Sequence, residues 1–222
     1  MRSDGTTGNE MMMAQPANGA TLDALDDATR ELVRLAATLA YGSEGEVHDA
    51  LANAVGRLPV VWVEELLLQT HLFAGFPRAL NGMREWRRVS GNRAPSGDVF
   101  PDPAAVRAAG EATCSEVYGA MYERLRRNIR ELHPLLDEWM VVDGYGKVLS
   151  RPGLDLGRRE LCIVAACAAA GQDRQLHSHL HGAVNVGVAP QAIGAAIEAL
   201  EGVVPIDRIT SARLLWQRVK GK

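Results

Sequence analysis

Apolar positions along this chain recur at helical spacing, and each run ends on a residue type that stops helices. From Asp26 the pattern holds to Tyr41 and halts at Gly42, the expected glycine after a helix C-terminus. Ser43 followed by Glu46 makes a capping box and predicts a second helix through about Val55. After Pro59 the run VVWVEELLLQTHLFAGF is strongly apolar until Pro77 interrupts it, and RALNGMREWRRV follows as an amphipathic segment. Residues 90–103 read as a linker by composition, and residues 104–130 as one long helix. His133-Pro134 breaks that helix before LLDEWMVV, and the Gly- and Pro-rich DGYGKVLSRPGLDLG connects onward. Residues 160–170 are apolar on nearly every face, as in a helix buried inside a bundle. Gly171 ends that run, and Asp173 is read as the cap of a helix over 174–186. Pro190 suits the first turn of a helix to about Glu201, and a last helix is expected over roughly 206–219. No segment alternates with period two, so the prediction is an all-α protein.

Two of these helical pairs are the same segment written twice. Shifted by 129 positions, RELVRLAATLAYGSEGEVHDALANAV lies over RELCIVAACAAAGQDRQLHSHLHGAV without a gap, with 11 of 26 residues identical. Chance would give about two or three matches, allowing for the alanine richness. The period is too long for a solenoid, whose repeats run roughly 20–50 residues. The reading is a duplicated and fused helical-bundle module. The copies differ where chemistry would sit: His48 has a counterpart in His177, whereas His179 faces Ala50.

Composition narrows the function classes. The net charge is −3 with no basic stretch interleaved with aromatics, which speaks against nucleic acid or an anionic membrane surface as a partner. Cys114, Cys162 and Cys167 form no C-x-x-C pair, so a disulfide framework is not expected. The longest apolar stretch is too short to span a bilayer, no secretory signal is visible, and residues 1–22 are expected to be disordered. A cytoplasmic protein is the expectation.

His177, His179 and His181 are the first candidates for chemistry. Residues two apart on a helix point about 200° from each other, so the three do not converge on one ligand. His177 and His181 share a flank but no nearby motif supplies a third metal ligand, and no metal or cofactor is expected. Glu160 reads either as a helix-dipole carboxylate or as the group that orients His179. Arg158 and Arg159 either pair with it or hold an anionic substrate. His71, near Phe73 and Phe76, either lines the second module's pocket or is a core histidine.

The stretch from Val117 to Pro190 resembles the carboxymuconolactone decarboxylase family, most tellingly in GYGKVLSRPGLDL, RREL and QLHSHLHGAVNVGV. The first copy resembles it more loosely, including EELLLQTHLFAGFPRALNGM. The resemblance implies an alkylhydroperoxidase D-like fold, with a tail at 1–22, a degenerate module at 23–90, a linker and helix start at 91–114, and a closer module at 115–222. It also implies a homotrimer of fused modules standing in for a hexamer. The family's peroxidase branch needs two cysteines three apart; here those positions carry Gln172 and Gln175, and Ser43 and Glu46 in the first copy. The decarboxylase branch is therefore the expected function: cofactor-free loss of CO2 from a carboxylated lactone such as 4-carboxymuconolactone, in aromatic-acid catabolism, or from a related unsaturated acid. His179 is the expected proton donor and Glu160 its partner. Arg159, Arg151 and Gln175 are the expected contacts to a small anionic substrate, with Tyr145 as donor to the enolate oxygen. The alternative is a non-catalytic oligomeric member that binds a small acid or a protein.

Overall fold

The computed structural model describes residues 22–96 and 102–221. The predicted tail therefore lies outside the described residues, apart from Leu22. Eleven α-helices carry the fold among those residues: α1 (Asp27–Tyr41), α2 (Glu44–Ala54), α3 (Val60–Ala74), α4 (Phe76–Ser90), α5 (Pro103–Tyr118), α6 (Tyr122–Leu132), α7 (Pro134–Trp139), α8 (Leu156–Ala170), α9 (Asp173–Asn185), α10 (Pro190–Glu198) and α11 (Ile206–Lys220). A short 3-10 turn joins α5 to α6, and a π-helical segment, Met140–Leu149, extends α7. One isolated bridge, Leu22 with Val188, is the only extended pairing among the described residues. The all-helical reading holds.

The duplication is visible in the helix bounds. Both ends of α8 lie 129 residues after those of α1, and both ends of α11 lie 130 after those of α4. The two cognate helices α1 and α8 pack on each other, as equivalent helices do across a two-fold axis. Their caps are equivalent too: Asp26 accepts from the Thr29 N–H at 2.7 Å, and Asp155 from the Arg158 N–H at 2.9 Å. Arg158 ties the two starts together, donating to Asp155 at 2.7 Å, Asp26 at 2.9 Å and the Thr29 hydroxyl at 2.8 Å. It lies over the Trp62 ring, 4.4 Å from the centroid.

Four local readings are corrected. Pro77 does not interrupt a helix but sits in the first turn of α4, where its missing N–H costs nothing. The expected long helix over 104–130 breaks at Gly119, whose φ of +50° is outside the helical region. Asp173 does not cap α9; Gln172 holds that position without a side-chain bond. The Gly-rich passage after Trp139 is helical, because two glycines let it press backbone to backbone on α5. A β-carbon on Gly110 would stand 2.2 Å from the Val141 carbonyl oxygen, and one on Gly146 would stand 2.4 Å from that of Val106. That contact turns Tyr145 into the interior.

A buried ion cluster locks the halves from the other side. Arg159 is wholly buried and donates to Glu65 at 2.8 Å, to the Leu154 and Arg151 carbonyls at 3.0 Å each, and to Gln69 at 3.4 Å. Arg151 also binds Glu65, at 3.1 and 3.2 Å. Glu65→Ala leaves a buried guanidinium without its counter-charge, so chemical denaturation is expected to show a loss of about 3–5 kcal/mol.

Candidate functional site

Helix α8 is buried on nearly every side, so its charged residues must be satisfied internally. Glu160 has no exposure and sits in the second turn, since α8 begins at Leu156. The macrodipole reading is thereby weakened, because that field acts mainly in the first turn, where Asp155 caps. The Glu160 carboxylate instead accepts from His179: Oε2 lies 2.9 Å from Nδ1, and His179 is itself buried. An Nδ1–H pointed at a carboxylate leaves Nε2 as the working nitrogen. Among the described residues Nε2 meets no hydrogen-bond partner, and Glu160 Oε1 is buried without one. The pair is half satisfied, and both spare positions call for a donor or acceptor from a ligand or water.

Three elements close over the dyad. The Phe73 ring of α3 meets the His179 ring edge-on at 5.4 Å. The Tyr118 ring, at the end of α5, lies 6.4 Å from His179 and 6.1 Å from the Tyr145 ring. Burial pushes the Tyr118 and Tyr145 phenols above their ordinary range, so both stay protonated. α9 comes close because residue 182 is glycine. A β-carbon there would stand 2.5 Å from Glu160 Oε2 and 2.8 Å from Val117.

The remaining sequence candidates lie elsewhere. Arg159 and Arg151 are committed to Glu65, so neither offers the expected open grip on a substrate carboxylate. Gln175 is exposed rather than turned into the buried dyad. His71 stacks on Phe76 at 4.7 Å, and it is Phe73 that reaches His179. His177 and His181 meet edge-on at 4.9 Å, and among the described residues no group of three His, Cys, Asp or Glu stands close enough to hold a metal ion. Burial pushes the thiols of Cys114, Cys162 and Cys167 up to about 12, far from the thiolate that peroxide chemistry requires. Tyr118, Phe73 and Gly182 were not picked out from the sequence. The one local signal for Tyr118 is Gly119, which ends the helix beside it.

In the first copy the same positions do something else. Glu31 pairs with Arg57 at 3.0 Å in a surface cleft, and Ala50 stands where His179 would be.

Two comparisons bear on this arrangement. Residues 138–218 match the sequence profile of the carboxymuconolactone decarboxylase family. Peroxisomal protein 2 of Schizosaccharomyces pombe is 30% identical over 144 residues, which are 60% of this chain and 64% of that protein. The chain thus spans less than two thirds of that relative, whose name gives a location and no activity. Among the described residues no helix is long and apolar enough to cross a membrane.

Gly182→Ala forces the Glu160 carboxylate aside. The expected result is a loss of about 1–3 kcal/mol in thermal or chemical denaturation, together with a shifted His179 imidazole resonance.

Proposed function

We propose, from the match of residues 138–218 to the carboxymuconolactone decarboxylase family, that the second module is a cofactor-free carboxy-lyase acting on a small unsaturated acid, with His179 as its proton-transfer group. The observation that carries this reading is the buried His179–Glu160 dyad with its unpartnered Nε2 and Oε1. A carboxylate on the γ-carbon of an α,β-unsaturated lactone sits next to the C=C that leads to the carbonyl, so the electron pair of its C–C bond can pass through that double bond to the carbonyl oxygen. When its C–C bond breaks, CO2 leaves and the electron pair moves into the conjugated system, giving a dienolate. In this reading a Tyr118 or Tyr145 hydroxyl donates to that oxygen, and protonated His179 delivers its proton to carbon. Glu160 holds the ring and offsets the imidazolium charge. Water then returns the proton to His179.

The electrostatics favour a substrate with one negative charge. The carboxylate at the site is Glu160, and the nearby arginines, Arg159 and Arg151, are engaged with Glu65. An entering anion therefore has His179 as its compensating partner. This supports a γ-carboxylated butenolide without a second acid arm over the doubly charged 4-carboxymuconolactone.

The test is CO2 release from both compounds. The expected outcome is turnover of the monoanion by the unsubstituted protein, a loss of at least about a hundredfold in His179→Ala, and a smaller loss in Tyr118→Phe. Equal rates with and without His179 would remove it from the mechanism. No release from either acid would leave the module without the proposed reaction.

A further inference from the structure

The dyad is closed, yet a pit opens beside it. Between α1, α3 and α8 a cavity of about 10 Å3 is lined by Ala36, Ala40, Ala74, Ala166, Cys162 and Phe73, among others. That is room for about one water. On α8, at 100° per residue, Cys162 and Ala166 lie on a different stripe from Glu160, with Ile163 and Ala170 between them. Phe73 spans the gap: the same side chain lines the pit and meets His179 edge-on at 5.4 Å. Phe73 is half-buried, whereas Ala36, Leu66 and Ala166 around it are buried. Helix α3 ends one residue later, at Ala74, and Gly75 follows at φ +84°. The last turn that carries Phe73 is therefore not continued by helix. Besides the Gly75 N–H on the His71 carbonyl at 3.1 Å, the Gln172 amide donates to the Phe73 carbonyl at 3.4 Å. On the inner side, Glu160 Oε1 waits buried and unpartnered.

We propose that this pit is the outer end of the access route to the dyad and that Phe73 is its gate. The small side chains of Ala36, Ala40 and Ala166, with Gln69 and Thr70 beside them, leave this pit as the narrow throat that must widen when Phe73 moves. Rotation of the Phe73 ring joins the throat to the space beside His179. The proposal rests on His179 being the working group, but its test does not require turnover.

The experiment reads how fast diethyl pyrocarbonate modifies His179 in the full-length protein, mapped by peptide mass spectrometry. His177 and His181, on the same helix, serve as internal references. In the unsubstituted protein His179 is expected to react far more slowly than His177. Phe73→Ala is expected to raise the His179 rate about tenfold or more, with His177 and His181 unchanged. Adding Ala166→Leu, which fills the throat, is expected to cancel most of that gain. Phe73→Leu, a milder change, should give an intermediate rate, and circular dichroism verifies that each variant is folded. An unchanged His179 rate in the folded Phe73 variants overturns the gate, and a gain that survives Ala166→Leu places the route elsewhere. If labelling follows the expected order while neither acid loses CO2, the gate stands and the proposed reaction falls.

Discussion

The buried body of a helix cannot leave a charge to solvent, and α8 buries two in succession. Arg159 and Glu160 are both fully buried, and their side chains leave the helix about 100° apart. Each must therefore be met by a different neighbour. Glu65 and Gln69 of α3 meet the arginine together with carbonyls of the loop before α8, which fixes that loop over α3. His179 of α9 meets the glutamate, which fixes α9. The positions of α3, α9 and the loop from Arg151 to Leu154 follow from one requirement, that neither charge be abandoned in a low-dielectric interior. The two are not settled to the same degree. Arg159 has four acceptors, whereas Glu160 keeps an oxygen in reserve.

That reserve distinguishes a site from a clasp. A satisfied buried network rigidifies and does nothing further; an incomplete one holds a standing preference for whatever completes it. Around Glu160 the neighbours are phenols and thiols kept protonated by burial, with no thiolate among them. Burial that keeps the phenols and thiols protonated leaves this environment suited to donating protons rather than to nucleophilic attack.

Much of this was legible in the sequence where the cause is local. Gly42 and the Ser43–Glu46 box mark the junction between α1 and α2, and the box is present with both its bonds. The contrast of His179 with Ala50 singled out one module before any geometry was known. RRE gives no sign of which guanidinium turns inward. That depends on Glu65, 94 residues from Arg159. The π-helical segment was misread for a similar reason. Gly144 and Gly146 suggest a loop locally, but Gly146 is there to admit the backbone of α5, and the matching glycine, Gly110, lies on that helix. Phe73 has no local signature, and Tyr118 has only the neighbouring Gly119, since what matters is the ring each faces.

The pairing of α1 with α8 has a consequence for how such a protein changes over generations. When two identical subunits meet across a two-fold axis, every substitution is expressed on both sides at once, and an interface residue must tolerate its own reflection. Fusing the two copies into one chain lifts that rule. Arg30 can face solvent while its twin Arg159 is entombed, and Ala50 can stand where its twin is His179. Covalent linkage thus frees the two copies to diverge independently, each position answering only to its own surroundings.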